Sequence, residues 1–373
     1  MWNHKYLLRI DYKLVFVLTL LMVISFLVIS SMTGTKEDIF FTFFVKRQMT
    51  AFFLGWIAFF FFAGWDYRKL KEFSFLLYLV MVFFLLGIYF IEPIHKVHRW
   101  YRLPFLNVSF QPSEYTKLII IVCLGWFLEK NRENILSFKS SSKILIISGI
   151  PFFLILNQPD LGTALILYPI TLVMCYFGDI NKKLLRVFLV FGLIFFSVIF
   201  LMFIGIFSHN KMRPFFSPFF KEYQYERLNP NTYHHKSVQI SIAIGGLVGT
   251  GWKKGEFASK RWLPASYTDS IFAAYAEEFG FLGIVFLLFL FYFIIHSSLK
   301  VVRVTKDYFG KLLASGIAVY FIMHIIINIA MMCGFLPISG VPLIFITYGG
   351  SSVVTAMVAM GILQNIYARR FMF

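Results

Sequence analysis

The run Tyr267-Thr268-Asp269-Ser270 leads straight into a long apolar stretch that begins at Ile271. A carboxylate held where a membrane segment meets water can take a proton from a substrate hydroxyl, which makes Asp269 a candidate general base. The same position suits a helix cap, since Thr or Asp ahead of an apolar run accepts hydrogen bonds from the first-turn amides. One residue can do both. Glu277 and Glu278 follow inside the stretch. An ionised side chain at membrane depth costs ~2.5–3.5 kcal/mol on insertion scales, so both should face the protein interior and a partner. On a continuous helix, Glu277 falls within about 80° of Asp269.

Other groups carry polar chemistry too. Glu114 and Lys117 are spaced i, i+3 and can pair on one helix face or reach across to another helix. Asp160 follows Pro159 at a hairpin between two apolar runs, where proline breaks one helix and the acid caps the next. Tyr348-Gly349-Gly350-Ser351-Ser352 follows Pro337, Gly340 and Pro342. Successive glycine amides at a helix start can bind an anion such as diphosphate, and small residues there also let helices approach closely. Gly310-Lys311 is followed by Leu312 and lacks the upstream glycine of a Walker A loop. Gly249-x-Gly251 lacks a preceding strand, so neither a nucleotide nor an organic cofactor is expected. His234-His235 and the cysteines Cys123, Cys175 and Cys333 have no metal-ligand spacing. The metal stays open, with Asp269 the residue able to hold one.

The elements that must position these groups are membrane helices. The chain is 59% hydrophobic and 20% aromatic with 14% charged residues, and its mean hydropathy is +0.76. A soluble fold could not cover 49 Phe, 19 Tyr and 7 Trp with so few charges. Ten spans are expected, at 14–31, 49–65, 73–91, 113–128, 141–157, 161–178, 187–207, 270–295, 312–332 and 344–366. The fold class is therefore all-α and polytopic, one integral membrane domain over 1–373.

The net charge of +17 follows the spans rather than a nucleic-acid partner. With the N-terminus inside, the cytoplasmic segments hold nineteen Lys and Arg, while the short outer loops hold six: Lys36, Lys46, Arg47, Lys96, Arg99 and Arg102. That asymmetry puts both termini in the cytoplasm and the four polar clusters on the outer side. Residues 208–268 form one large outer loop, rich in bases that include Lys221, Arg227 and Arg261. An anionic substrate or anionic lipid headgroups would account for them.

In series these clusters resemble the SEDS family (shape, elongation, division and sporulation) of peptidoglycan glycosyltransferases. The resemblance runs from about residue 8 to residue 370. It rests on Arg99-Trp100, Gln111-Pro112-Ser113-Glu114 with Lys117, Gln158-Pro159-Asp160-Leu161-Gly162-Thr163, Ala243-Ile244-Gly245, Leu263-Pro264 with Thr268-Asp269, Ala276-Glu277-Glu278, Leu336-Pro337, Gly340-x-Pro342 and Tyr348 to Ser352. Ile10-Asp11, Ala276 and the short tails resemble the RodA-like elongation branch more than the division branch. The chain departs from the family pattern at His235-Lys236, where Tyr-Gln is usual, and at Ser270, where a phenyl side chain is usual.

The resemblance implies polymerisation of lipid II, the undecaprenyl-diphosphate-linked disaccharide peptide, at the outer face of the bacterial cytoplasmic membrane. A class B penicillin-binding protein is the implied crosslinking partner. The family's essential aspartate falls on Asp269. The acceptor 4-hydroxyl would lose its proton to this carboxylate while attacking the donor's anomeric carbon, in one inverting displacement. Arg99, Lys117, the basic outer loop, glycine amides or a divalent cation (Mg2+ or Mn2+) would stabilise the leaving diphosphate. Trp100, Glu114, Asp160, Glu277, Glu278, Gly349, Gly350 and Ser351 are the expected binding or supporting residues. Two other classes fit a ten-span chain: a flippase for the lipid-linked precursor, which would favour a polar path and internal repeats, and a non-catalytic scaffold for the partner transpeptidase.

Overall fold

The computed structural model describes residues 4–34, 40–92, 98–103, 108–216, 222–260 and 262–371. Lys36, Lys96, Lys221 and Arg261, counted above among the outer bases, lie outside them. Among the described residues, ten long helices overlap the ten expected spans, with several ends shifted. They are α1 (Tyr12–Thr33), α2 (Phe43–Gly64), α3 (Leu70–Gly87), α4 (Pro112–Lys130), α5 (Phe138–Asn157), α6 (Leu161–Phe177) and α7 (Lys182–Phe203). After the long connection with α8 (His209–Phe216), α9 (Glu222–Glu226), α10 (Tyr233–Gly245) and α11 (Glu256–Ser259) come α12 (Ile271–Val304), α13 (Tyr308–Met332) and α14 (Gly350–Ala368). The all-α class holds, apart from a hairpin of β1 (Tyr101–Leu103) and β2 (Val108–Phe110) that pairs Tyr101 with Phe110 and carries the chain into α4.

Side chains set the starts of these helices. Asp11, Thr42, Ser137, Asp160, Asn181, Thr232 and Asp307 each accept a hydrogen bond from a first-turn amide. Pro112 opens α4, where its missing N–H costs nothing. The last helix starts at Gly350 instead of the expected 344. Pro342 breaks the approach, and Gly334, Gly340 and Phe345 all have positive φ.

Among the described residues, eight helices are long and apolar enough to cross a membrane on their own. The other two are α4, with charged Glu114, Lys117, Glu129 and Lys130, and the 17-residue α6. Both are sheltered, α4 between α3, α13 and α6, and α6 between α13, α4 and α5. The centre of the bundle is α13 and α14, whose apolar windows are 72% and 78% buried, whereas α7 at 11% is its periphery.

The ends of α12 differ in kind. Its helix is interrupted at Gly280, whose φ of 63° and ψ of −164° are not helical. The preceding part packs against α10 so closely that a Cβ on Gly245 would meet Ala276 O at 2.1 Å. The polar backbone groups around the break are met by the turn after α10. Thr250 N donates to Glu277 O (3.0 Å), Gly251 N to Glu278 O (3.0 Å), Phe281 N to Gly246 O (2.9 Å) and Leu282 N to Leu247 O (3.0 Å). A broken helix is tolerated in a bilayer only where such partners exist.

Gly280→Ala should be severe, because the added Cβ would lie 2.3 Å from Gly249 N at a positive φ and would press on backbone, which cannot step aside. A loss of about 1–3 kcal/mol or more is expected, read as a lower melting temperature of the purified protein. Gly149→Ala in α5, where a Cβ meets nothing within 4 Å, should be neutral or slightly stabilising in the same assay.

Candidate functional site

Asp269 sits in a turn ahead of α12. Thr268 N and Ser270 N both donate to Ala265 O (3.0 and 3.1 Å), and Ala265 itself takes a positive φ. Ser270 is the residue at the cap of α12 and makes no capping bond through its side chain. The carboxylate of Asp269 is therefore not spent on the helix start. Because Asp269 precedes the helix, it does not share a helical face with Glu277.

Three ties hold the turn. Asn328 Nδ2 on α13 donates to Asp269 O (3.3 Å), Tyr348 N to Tyr267 O (3.1 Å) and Thr347 Oγ1 to Thr268 O (3.4 Å). Gly340 lines the carboxylate, since a methyl there would lie 3.7 Å from Asp269 Oδ2. The opposite hydrogen bond of the turn runs outward, from Ser270 Oγ to His234 Nε2 of α10 at 2.7 Å.

Asp160 forms a second acidic position close enough to oppose the first. It accepts from Ser113 Oγ (2.8 Å), Gln111 Nε2 (3.1 Å), Thr163 Oγ1 (3.0 Å) and Thr163 N (3.4 Å). Burial alone would raise its pKa, but the Arg99 charge, the Ser113 hydroxyl, the Lys117 charge and the Thr163 amide outweigh it and hold the carboxyl below its ordinary value. For Asp269 the balance goes the other way. Burial raises its pKa, the guanidinium groups of Arg227 and Arg99 only partly restore it, and the Asp160 charge adds to the rise. The two carboxylates are thus pushed in opposite directions, Asp160 toward its ionised form and Asp269 toward its protonated form. Such a separation marks a candidate acid–base site.

Arg99 links the two acids. Its Nε donates to Gln158 O (3.1 Å), while its buried Nη2 makes no hydrogen bond. Trp100 Nε1 donates to Gln111 Oε1 (3.1 Å), and Gln111 N donates to Ser351 Oγ (3.0 Å). Through this one glutamine, Trp100, Asp160 and Ser351 become a single network. Arg99 and Asp269 join that network through charge, since Arg99 acts on both acids and Asp160 acts on Asp269.

The remaining expected residues lie apart and act differently. Lys117 is fully buried, bonded to Glu114 Oε1 (2.8 Å) and His324 Nε2 (2.9 Å), so the i, i+3 pair is real but its ammonium is enclosed. Glu277 accepts from Ser241 Oγ and from Phe257 N (both 2.8 Å); Glu278 accepts from Lys253 N (2.9 Å) and from Ser31 Oγ. Both glutamates pin the α7–α12 connection to the bundle. The amide of Gly349 donates to Gln48 Oε1 (3.2 Å), and Gly350 begins α14. Among the described residues no group of three or more His, Cys, Asp or Glu is set to hold a metal ion.

Arg227 is the site residue that sequence reasoning did not single out. It follows α9, and its neighbours Tyr225 and Leu228 pack with Ile199 and Met202 of α7 in a small apolar cluster separate from the main core. Nothing in the sequence separates it from the other bases of residues 208–268.

A membrane-spanning helical bundle with an acid pair and two guanidinium groups gathered beside one end of α12 and α6 is the class of protein that fold and site define. The FtsW/RodA/SpoVE family model, described as a cell cycle protein, matches residues 6–371, and the chain belongs to that family. Peptidoglycan glycosyltransferase MrdB of Helicobacter pylori strain 26695 is 32% identical over 381 residues, covering 100% of this chain and 92% of the relative. MrdB of Escherichia coli K12 is 29% identical over 366 residues, covering 98% and 95%. A chain from a peptidoglycan synthase complex studied for its coordination of polymerization and crosslinking superposes with a TM-score of 0.77 at 23% identity, covering 98% of this chain and 99% of that one. The rod shape determining protein RodA of Thermus thermophilus gives 0.69 at 21% identity, covering 97% and 98%.

The two acids should respond oppositely to neutralisation. A raised pKa means that folding favours the protonated form of Asp269, so its ionised form carries a cost that grows as pH rises above the ordinary 3.8. Asp269→Asn should therefore raise the melting temperature at pH 7, with the gain shrinking as pH falls toward about 4. The depressed pKa of Asp160 contributes stability above that ordinary value, lost as pH falls through the lower folded one. Asp160→Asn should cost about 1–3 kcal/mol at pH 7.

Proposed function

We propose that the chain is a peptidoglycan glycosyltransferase that polymerises lipid II at the outer face of the cytoplasmic membrane, in support of cell elongation or shape. The observation that carries this reading is the Asp269 carboxylate, free of structural duty and flanked by Arg99 and Arg227, in a family whose curated relatives are named peptidoglycan glycosyltransferases.

The acceptor 4-hydroxyl gives its proton to Asp269 as its oxygen bonds to the donor's anomeric carbon. The bond from that carbon to the diphosphate oxygen breaks, and the lipid diphosphate leaves with the electron pair. Burial raises the basicity of Asp269, which suits a group that must accept a proton. Arg99 Nη2, buried and without a hydrogen bond, is the donor best placed to meet the growing charge on diphosphate, with Arg227 beside it. Enclosed Lys117 acts on this charge only through the field. Asp269 would hold a Mg2+ or Mn2+ ion, which would supply positive charge toward the leaving diphosphate. Asp269 suits that role better than Asp160, which already accepts four hydrogen bonds. A class B penicillin-binding protein is the partner this reading assigns, in line with the synthase complex that contains a similarly folded chain.

The test is polymerisation of labelled lipid II by purified protein with its partner and Mg2+ or Mn2+. Wild type should make polymer, Asp269→Ala should lose about 10²–10⁴-fold, and Arg227→Ala should lower kcat/KM by about tenfold or more. Equal polymer from wild type and Asp269→Ala, with both folded, would remove the residue from the chemistry. Transbilayer movement of lipid II without polymer would point to a flippase instead.

A further inference from the structure

We propose that His324 is a positioning residue for the Asp269 reaction: it fixes the Gly340–Pro342 segment that walls the carboxylate. The proposal rests on the glycosyltransferase reading only for its kinetic consequence. On α13, His324 and Asn328 lie one turn apart and project onto the same stretch of chain. Asn328 Nδ2 donates to Val341 O (2.8 Å) as well as to Asp269 O (3.3 Å), and His324 Nδ1 contacts Pro342 O at 3.0 Å. Two successive carbonyls are thereby held by two side chains. The segment belongs to no helix or strand and includes Gly340 at a φ of 80°, directly against Asp269 Oδ2. Its shape depends on those side-chain bonds.

The chemistry of the partners dictates one form of the imidazole. A carbonyl oxygen only accepts, so the proton must be on Nδ1. Nε2 must then accept, and it faces the Lys117 ammonium at 2.9 Å. Lys117 is in turn neutralised by Glu114 at 2.8 Å. Tyr320, one turn before His324, covers the ammonium with its ring at 5.4 Å. The relay runs from Glu114 through Lys117 and His324 to Pro342 O, entirely inside the protein, with Lys117 and His324 0% and 1% exposed. A buried ion pair gives little net stability. Here it has a positional purpose, because only a donor at Nε2 keeps the imidazole proton aimed at the wall of the site.

His324→Gln keeps both roles, since its amide can donate to Pro342 O and accept from Lys117. His324→Leu keeps much of the volume and neither role. His324→Asn is too short to reach both partners. In lipid II polymerisation, the Gln variant should stay within about threefold of wild type, while Leu should lower kcat by about tenfold or more with KM changed by less than about threefold. Amide hydrogen exchange at Gly340, Val341 and Leu343 should quicken in the Leu variant and stay unchanged in the Gln variant. Should the Leu variant fail to fold, Asn carries the same comparison. Unchanged kcat and exchange in the Leu variant would overturn the proposal, and so would equal impairment in Gln and Leu. A wild type that makes no polymer would sink the glycosyltransferase reading instead, and the exchange comparison would then decide the positioning by itself.

Discussion

In a bilayer every backbone amide and carbonyl must find its partner within the chain, and the fold turns on how that demand is met at Gly280. The break in α12 frees backbone polar groups, and the turn after α10 supplies their partners through its own backbone. Such pairing requires main chains in direct contact, hence glycine at 245, 249 and 280. Once made, it fixes α10 beside the first turns of α12. That in turn sets where Ser270 and the turn bearing Asp269 emerge.

Charge is handled by the same economy. Most acidic side chains within the bundle have a neighbour that partners them: Glu114 has Lys117, Asp160 has Arg99 with two hydroxyls, and Glu277 and Glu278 have backbone amides and serines. Asp269 is different, because its oxygens are left to two guanidinium groups and to whatever enters the site. An under-compensated carboxylate is a cost in folding and an advantage in proton transfer. The contrast with Asp160, so near and so well satisfied, identifies which acid is available.

Much of this was legible in the sequence. The ten helices follow from runs of Leu, Ile and Phe long enough to cross hydrocarbon, and the caps at Asp160 and elsewhere follow from residue type. The i, i+3 pair of Glu114 and Lys117 was legible for the same reason, because helix geometry is local. What depended on distant contacts was not. The capping role allowed to Asp269 fails because the turn through Ala265 carries the chain past the helix start. The anchoring by Glu277 and Glu278 depends on amides from Lys253 and Phe257, which no periodicity reveals. Arg227 became visible only when the chain after α9 folded toward Asp269, and His324 only when α13 met both α4 and the Gly340–Pro342 segment.

The small cluster of Tyr225 and Leu228 with Ile199 and Met202 gives the site an unequal mechanical footing. Asp269 is referenced to α13 and to the chain before α14, the most enclosed parts of the molecule. Arg227 is referenced to α7, the least enclosed. The separation between this cation and the carboxylate is therefore a degree of freedom of the whole membrane assembly. A displacement of α7 would change the electrostatics at Asp269 before it strained any bond that holds the acid in place.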